Sequence, residues 1–121
     1  MATIEIHIEN ISIDEIIEWL IEYFYVDSKD EFYDGCYRLS CRKDKDFIPV
    51  IVSTKTELTN YTSVWFNAEL DLWPSQIECA KAASSFLSRA VICEPEEYCG
   101  SPNLLLRVIG EEQQLIDIDS T

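Results

Sequence analysis

Glycine, histidine and basic residues are scarce in this chain of 121 residues. Its three glycines, Gly35, Gly100 and Gly110, lie far apart, which excludes a glycine-rich phosphate loop. The one histidine, His7, leaves no imidazole pair for a zinc site. Nine basic residues stand against 23 acidic ones, a net charge of −14. Because nucleic acids and anionic membranes are bound through lysine and arginine, we expect neither as a partner.

Long apolar runs are also missing. No stretch approaches the ~20 apolar residues of a membrane-spanning helix, and the first residues, MATIEIHIEN, do not resemble a signal peptide. We therefore expect a cytoplasmic protein. The chain has five cysteines, an odd number, and we expect their thiols to be reduced in the cytoplasm. The alternatives are labile disulfides that join Cys36 to Cys41 or Cys93 to Cys99.

Catalytic and cofactor signatures are absent from the sequence. The cysteine spacings do not form a CxxC pair, and the acidic segment DSKDEFYD lacks the central glycine of a calcium loop. A Cys–His pair with His7, or a pair of carboxylates, stays conceivable, but nothing singles out one arrangement. We expect no enzyme activity, no cofactor and no metal.

Hydrophobic periodicity predicts one domain over residues 1–121. With 47% hydrophobic residues the chain has the material for a core. Residues 3–9 alternate as a half-buried strand, and we expect His7, between two glutamates on its solvent side, to favour the charged form. A helix is predicted from about Ile13 to Tyr25, after a capping box formed by Ser12 and Glu15.

The rest of the chain predicts six further strands and one helix. Residues 26–35 are interpreted as a polar connection, and Pro49 predicts a strand that lies at an edge or begins after it. The predicted strands cover 36–41, 47–54, 63–72, 90–93, 104–109 and 113–119, and a helix runs from 74 or 75 to about 88. The order β-α-β-β-β-α-β-β-β indicates an α+β fold, a mostly antiparallel sheet with two helices packed on one face.

The strand predicted at 63–72 places unusual residues on its outer side. Val64, Phe66, Ala68, Leu70 and Leu72 would face inward. Trp65, Asn67, Glu69 and Asp71 would form the outer row. Buried, unpaired carboxylates are costly, so we expect that row to be exposed. A tryptophan flanked by acids is typical of an interface that receives a basic partner, although Trp65 packed under a loop is the structural alternative.

Several acidic residues in the first third of the chain have no structural role that the sequence explains. Residues 1–34 hold ten acids and one base, whereas residues 36–55 form a small basic region. In the first helix, Glu18 is spaced i,i+4 from both Asp14 and Glu22, and such like-charged pairs cost about 0.2–0.5 kcal/mol each. A solvated helix face is one interpretation, and a face kept acidic for a partner is the other.

The segment VWFNAELDLWPSQIECAKAASSFLSRAVICEPEEYCGSP, in a small acidic chain without catalytic signature, resembles the immunity proteins of bacterial toxin–immunity systems, including contact-dependent growth inhibition. The resemblance is one of general layout. It implies one-to-one binding of a cognate basic toxin domain, often a nuclease, by a monomer or weak homodimer. The expected partner-binding residues are Glu18, Glu22, Trp65, Asn67, Glu69, Asp71, Glu94, Glu96, Glu97 and Tyr98. The alternatives are a phage- or plasmid-type nucleic-acid mimic and a small ligand-binding domain.

Overall fold

The computed structural model describes residues 3–95 and 104–117. These residues form eight strands and two helices. In chain order they are β1 (Ile4–Glu9), α1 (Ile13–Leu20), β2 (Tyr25–Tyr33), β3 (Cys36–Lys43), β4 (Asp46–Ser53), β5 (Tyr61–Phe66), α2 (Gln76–Leu87), β6 (Val91–Cys93), β7 (Leu104–Ile109) and β8 (Glu112–Asp117). None of the helices in this part of the chain is long and apolar enough to cross a membrane.

All eight strands belong to one antiparallel sheet in the order β2-β3-β4-β5-β1-β6-β7-β8. The α+β fold with a mostly antiparallel sheet is thereby confirmed. Because β1 lies in the middle of the sheet, it pairs with β5 on one side and β6 on the other. The edges are β2 and β8. The predicted edge near Pro49 is wrong, since β4 runs through Pro49 inside the sheet.

Both helices pack on one face of the sheet and bury a single core there. Alternate strand residues such as Ile6, Val52 and Val64 point into that core and are fully buried. From α1, Trp19 stacks on Trp73 with ring centroids 5.5 Å apart. From α2, small residues allow a close approach to the sheet. They are Cys79, Ala80, Ala83 and Ser84, all buried.

Helix α1 begins as predicted but ends early. The capping box is present, because Ser12 Oγ accepts from Glu15 N at 3.2 Å and the Glu15 carboxylate accepts from Ser12 N at 3.4 Å. The helix ends at Leu20 rather than Tyr25, and a turn leads directly into β2. Tyr25 is therefore the first residue of a strand.

Strand β2 corrects the prediction of a polar connection over 26–35. Only Val26 of its nine residues is even partly buried. A strand at the sheet edge, exposed on both faces, lacks the alternation of apolar and polar residues that reveals a strand in sequence. A turn joins it to β3 at Gly35, which has φ +78°, and a Cβ there would lie 2.7 Å from Thr54 Oγ1.

Strand β5 is shorter than predicted and ends at Phe66. Pro49 lies across from that end on β4, and its carbonyl accepts from Asn67 N at 2.9 Å. Because proline has no backbone N–H, Pro49 cannot donate a second hydrogen bond to Asn67, and the pairing of β4 with β5 ends there. Residues 67–75 continue as an irregular connection. The apolar members of the predicted row, Leu70 and Leu72, do pack against the core.

Helix α2 and the last three strands follow the prediction. Ser75 is the N-cap, which excludes Pro74 as the first helical residue. The hairpin of β7 and β8 turns at Gly110, as expected. Cys36 and Cys41 lie on opposite faces of β3, about 16 Å apart along the strand. That separation excludes the disulfide between them. Cys99 of the other alternative pair lies outside the described residues.

Candidate functional site

The face of the sheet opposite the helices carries a cluster of polar and aromatic side chains at its centre. Alternate residues of β1 and β5 point to this face, which we call the uncovered face because no helix of the described residues packs on it. The register pairs these residues across the two strands. The pairs are Glu5 with Trp65, His7 with Ser63, and Glu9 with Tyr61. We call these six residues the central cluster.

Hydrogen bonds within the central cluster fix its carboxylates. Ser63 Oγ donates to Glu5 Oε2 at 2.8 Å, and Tyr61 Oη donates to Glu9 Oε2 at 3.0 Å. Arg107 on β7 approaches the same Glu9 oxygen with Nη2 at 3.9 Å. These contacts hold Glu9 more firmly than Glu5, which is exposed and has no ion pair in the described part of the chain.

Trp65 lies at one end of the central cluster. Its Nε1–H donates to Thr3 Oγ1 at 3.0 Å, and its ring is partly exposed. The other two tryptophans of the chain, Trp19 and Trp73, are buried in the core on the opposite face. An indole with its polar atom satisfied and its ring partly open to solvent is suited to contact a partner.

His7 occupies the centre of the central cluster, and its expected charged state is wrong. Burial lowers the pKa of His7 below its ordinary value of 6.5, although Glu5 and Glu94 raise it. The Nδ1 atom is buried without a hydrogen-bond partner among the described residues. A charged ring would place an N–H at that atom with no acceptor, so the neutral ring is favoured.

Two clefts border His7 and Glu5. The larger, about 580 Å³, lies toward the connection after β4. Its other lining residues are Ser53, Lys55, Thr56, Glu57, Leu58 and Ser63. The smaller, about 230 Å³, lies toward Trp65 and Glu94. Lys55 is ion-paired with Asp34, so its charge is largely compensated in the larger cleft.

The residues predicted for partner binding do not form one surface. Trp65 is in the central cluster, and Glu94, just after β6, lines the smaller cleft beside it. The predicted row does not exist as a strand face, since Asn67, Glu69 and Asp71 lie exposed on the connection after β5.

The remaining predicted residues lie elsewhere. Glu18 is exposed on α1, and Glu22 lies in the turn after it. Glu96, Glu97 and Tyr98 lie outside the described residues.

The sequence interpretation missed most of the central cluster. Alternation placed Glu5, His7 and Glu9 on the solvent side of β1, but it did not show which strand lies beside them. Tyr61 and Ser63 come from a strand more than fifty residues away in sequence. An antiparallel register between β1 and β5 would have been needed to bring them together.

The described residues include no group placed to hold a metal ion, and their Cys41 and Cys79 thiols are buried. Within 3–95 and 104–117, no group of three or more histidine, cysteine, aspartate or glutamate side chains is placed to hold a metal ion. Burial raises the pKa of the Cys41 thiol to about 12 and that of Cys79 well above its ordinary value. Neither thiol is a thiolate near neutral pH, so neither is prepared for nucleophilic attack.

Comparison of the chain with protein-family models, with curated proteins and with solved structures finds no significant match.

Proposed function

We propose that this protein is a non-catalytic inhibitor of the immunity type, which binds a cognate basic toxin domain, such as a nuclease, in the cytoplasm. The observation that carries the proposal is the central cluster. It combines carboxylates, a tyrosine and a partly exposed tryptophan on a sheet face that the helices leave uncovered. Aromatic side chains anchor interfaces, and surrounding acids steer a basic partner toward them.

The distribution of ion pairs supports an acidic binding surface. Six of the basic residues are each paired with an acid outside their own helix or strand. The pairs are Lys29–Asp14, Arg42–Asp27, Lys55–Asp34, Lys81–Glu111, Arg89–Glu15 and Arg107–Glu9. The basic region predicted over 36–55 is thus partly neutralised by Asp27 and Asp34, which precede it in the chain. With 23 acids against nine bases, most of the remaining surface charge is negative.

Acids outside the central cluster fit a role in long-range attraction. Glu69 and Asp71 are exposed on the connection that leaves β5 just after Trp65. Glu18 and Glu22 lie near α1, on the opposite side of the sheet from the central cluster. Charges that lie away from the contact surface raise the rate of association with an oppositely charged partner at low salt, and this effect is lost as salt screens them.

A small-ligand-binding protein is the second candidate, supported by the cleft of about 580 Å³ beside His7. That volume falls within the range of roughly 300–1,000 Å³ usual for ligand sites. The cleft is lined mainly by polar side chains. An apolar wall, the usual source of small-ligand affinity, is limited to Leu58. The protein partner is therefore the better supported function.

Affinity capture from a lysate of the source organism tests the proposal. Tagged wild-type protein is compared with Glu5→Gln/Glu94→Gln, which removes two charges beside Trp65, and with Glu18→Gln/Glu22→Gln, which removes two charges near α1. We expect one stoichiometric partner that survives a high-salt wash and is bound at least roughly tenfold more weakly by the first variant than by the second.

The other outcomes separate the alternatives. Several basic proteins that are all lost as salt rises would instead support a nucleic-acid mimic. If both variants bind the partner equally, the central cluster is not the binding surface. The absence of any partner, together with a small molecule that shifts the His7 resonances, would favour the second candidate.

A further inference from the structure

The two edges of the sheet differ in how they are protected against pairing with another chain. An edge strand presents a row of unpaired backbone groups, and proteins guard such edges with bulges, charges or proline. Strand β2 forms one edge and β8 the other. Among the described residues, no strand pairs with the outer side of either one.

Strand β2 is guarded. Its register with β3 is interrupted twice, between Val26 and Ser28 and between Glu31 and Tyr33. Bulges of this kind twist an edge away from a partner. The strand also carries four charged residues in its middle, Asp27, Lys29, Asp30 and Glu31. An added strand would have to place its own side chains beside these charges on an irregular backbone.

Strand β8 has no bulge, no charged residue and no proline in its middle. It pairs with β7 through six consecutive residues without interruption, from Ile109–Glu112 to Leu104–Asp117. Its four central residues, 113–116, are uncharged. Leu115 is 49% exposed, and Ile116 points to the other face of the sheet, where it is partly exposed. A neighbouring strand would cover both side chains.

The turn of the hairpin indicates which backbone groups face outward. Gly110 has φ +59° and begins a two-residue turn closed by the pair Ile109–Glu112. A closing pair of this kind exchanges both of its backbone hydrogen bonds, and the pattern then alternates along the ladder. The N–H and C=O groups of Gln113 and Leu115 therefore point away from β7.

We propose that the outer edge of β8 accepts an extended segment of a basic protein partner as a ninth strand. The partner chemistry follows from charge, since Glu112 begins the strand on a chain of net charge −14. A second copy of this chain fits poorly, because pairing would bring together two chains that each carry a net charge of −14. The partner's identity as a basic protein rests on the proposed function, whereas the outward direction of the Gln113 and Leu115 backbone groups does not.

A peptide titration tests the edge without the natural partner. The probe is a capped peptide of about seven residues, alternating valine and threonine with a lysine at each end. The matched control peptide has glutamate at each end. We expect the lysine peptide to shift the backbone amide resonances of β8 and to slow hydrogen exchange of the Gln113 and Leu115 amides severalfold. Resonance shifts on β2 or in the central cluster instead, or no binding, would overturn the proposal.

Two proline variants test the assignment of outward groups. Leu115→Pro removes a donor that points outward, so the hairpin should remain folded while peptide binding is lost. Gln114→Pro removes a donor to β7 and should loosen the hairpin itself. If Leu115→Pro unfolds the hairpin, Leu115→Lys gives the same test by placing a charge on the edge. Unchanged peptide binding in the folded variant would overturn the proposal.

The outcomes also distinguish failure of the edge proposal from failure of the proposed function. Equal binding of both peptides would contradict the basic partner at this edge but not the edge itself. A concentration-dependent dimer that Leu115→Pro abolishes would assign the edge to a second copy and overturn the proposal. If the lysate partner is still captured by Leu115→Pro at full affinity, the edge proposal fails while the inhibitor proposal stands.

Discussion

The helix-covered face and the uncovered face of the sheet are built from alternate residues of the same strands, yet their chemistry differs sharply. On β5, Val64 and Phe66 are fully buried beneath the helices, whereas Ser63 and Trp65 on the other side make polar contacts with Glu5 and Thr3. The covered face gains its stability from apolar burial. The uncovered face holds polar groups whose positions are set by hydrogen bonds between β1 and β5.

The two tryptophans on opposite faces should show the largest difference in stability. Trp19 is fully buried and packs against Tyr23, Phe66 and Trp73. Trp19→Ala should lower the free energy of unfolding by about 3–5 kcal/mol. Trp65→Ala removes a partly exposed ring and should cost about 1 kcal/mol. Urea denaturation measures both, and equal losses would contradict the division between the faces.

Two serines provide a second, smaller comparison. On the covered side, Ser84 Oγ donates to the Arg89 carbonyl at 2.7 Å and accepts from Gly110 N at 2.8 Å. Ser84→Ala leaves both groups without this partner and should cost about 1–3 kcal/mol. Ser63→Ala frees the exposed Glu5 carboxylate to be hydrated and should cost less than about 1 kcal/mol. The reverse order in urea denaturation would contradict the account.

The neutral His7 should make stability depend on pH. Between its lowered folded pKa and 6.5, the unfolded chain binds more protons than the folded chain, so stability rises with pH in that window. The contribution is present above 6.5 and is lost as the pH falls below it. Charged groups near the ring include Glu5 and Glu9 on β1, Glu94 after β6 and Arg107 on β7, and Lys55 and Glu57 line the cleft beside it.

The variant His7→Gln isolates this effect from the carboxylates, which titrate at lower pH. We expect wild type to lose more stability than His7→Gln between about pH 7.5 and about pH 5.5, where histidine is the titrating side chain. Urea midpoints at the two pH values give the comparison. Equal losses would show that folding does not lower the pKa of His7, and a larger loss in the variant would show that folding raises it.

The acids near α1 should give the smallest effect. Glu18→Gln/Glu22→Gln changes exposed side chains that have no ion pair among the described residues. The free energy of unfolding should change by less than about 0.5 kcal/mol. The same variant serves as the control for partner capture. A large loss of partner affinity in it would move the binding surface from the uncovered face to the helix side.

Local patterns in the sequence predicted much of the covered side. The capping box of Ser12 and Glu15, the small residues of α2 and the alternation of β1 are all short-range signals, and each structure is found as expected. Strand β2 gave no such signal, because both of its faces are exposed. The end of β5 depended on Pro49 of a neighbouring strand, which only the sheet register brings opposite.

The central cluster depended on tertiary structure to a greater degree. Glu5 and Ser63 are 58 residues apart in sequence and meet only because β1 pairs with β5. The state of His7 could not be predicted from its glutamate neighbours, since burial outweighs their effect. The sequence placed Trp65 on the side of its strand that faces away from the core, as found, but it did not show which residues of β1 lie beside it. Asn67, Glu69 and Asp71 leave the strand face at the position where Pro49 ends the ladder.

The most direct test of the uncovered face as the binding surface uses the three indole N–H resonances of the protein. Trp65 lies on that face, whereas Trp19 and Trp73 lie in the core. The partner purified by capture is titrated into ¹⁵N-labelled protein, and the three signals are followed to saturation. We expect the Trp65 signal to shift while those of Trp19 and Trp73 stay in place. Saturated binding with an unchanged Trp65 signal would contradict it.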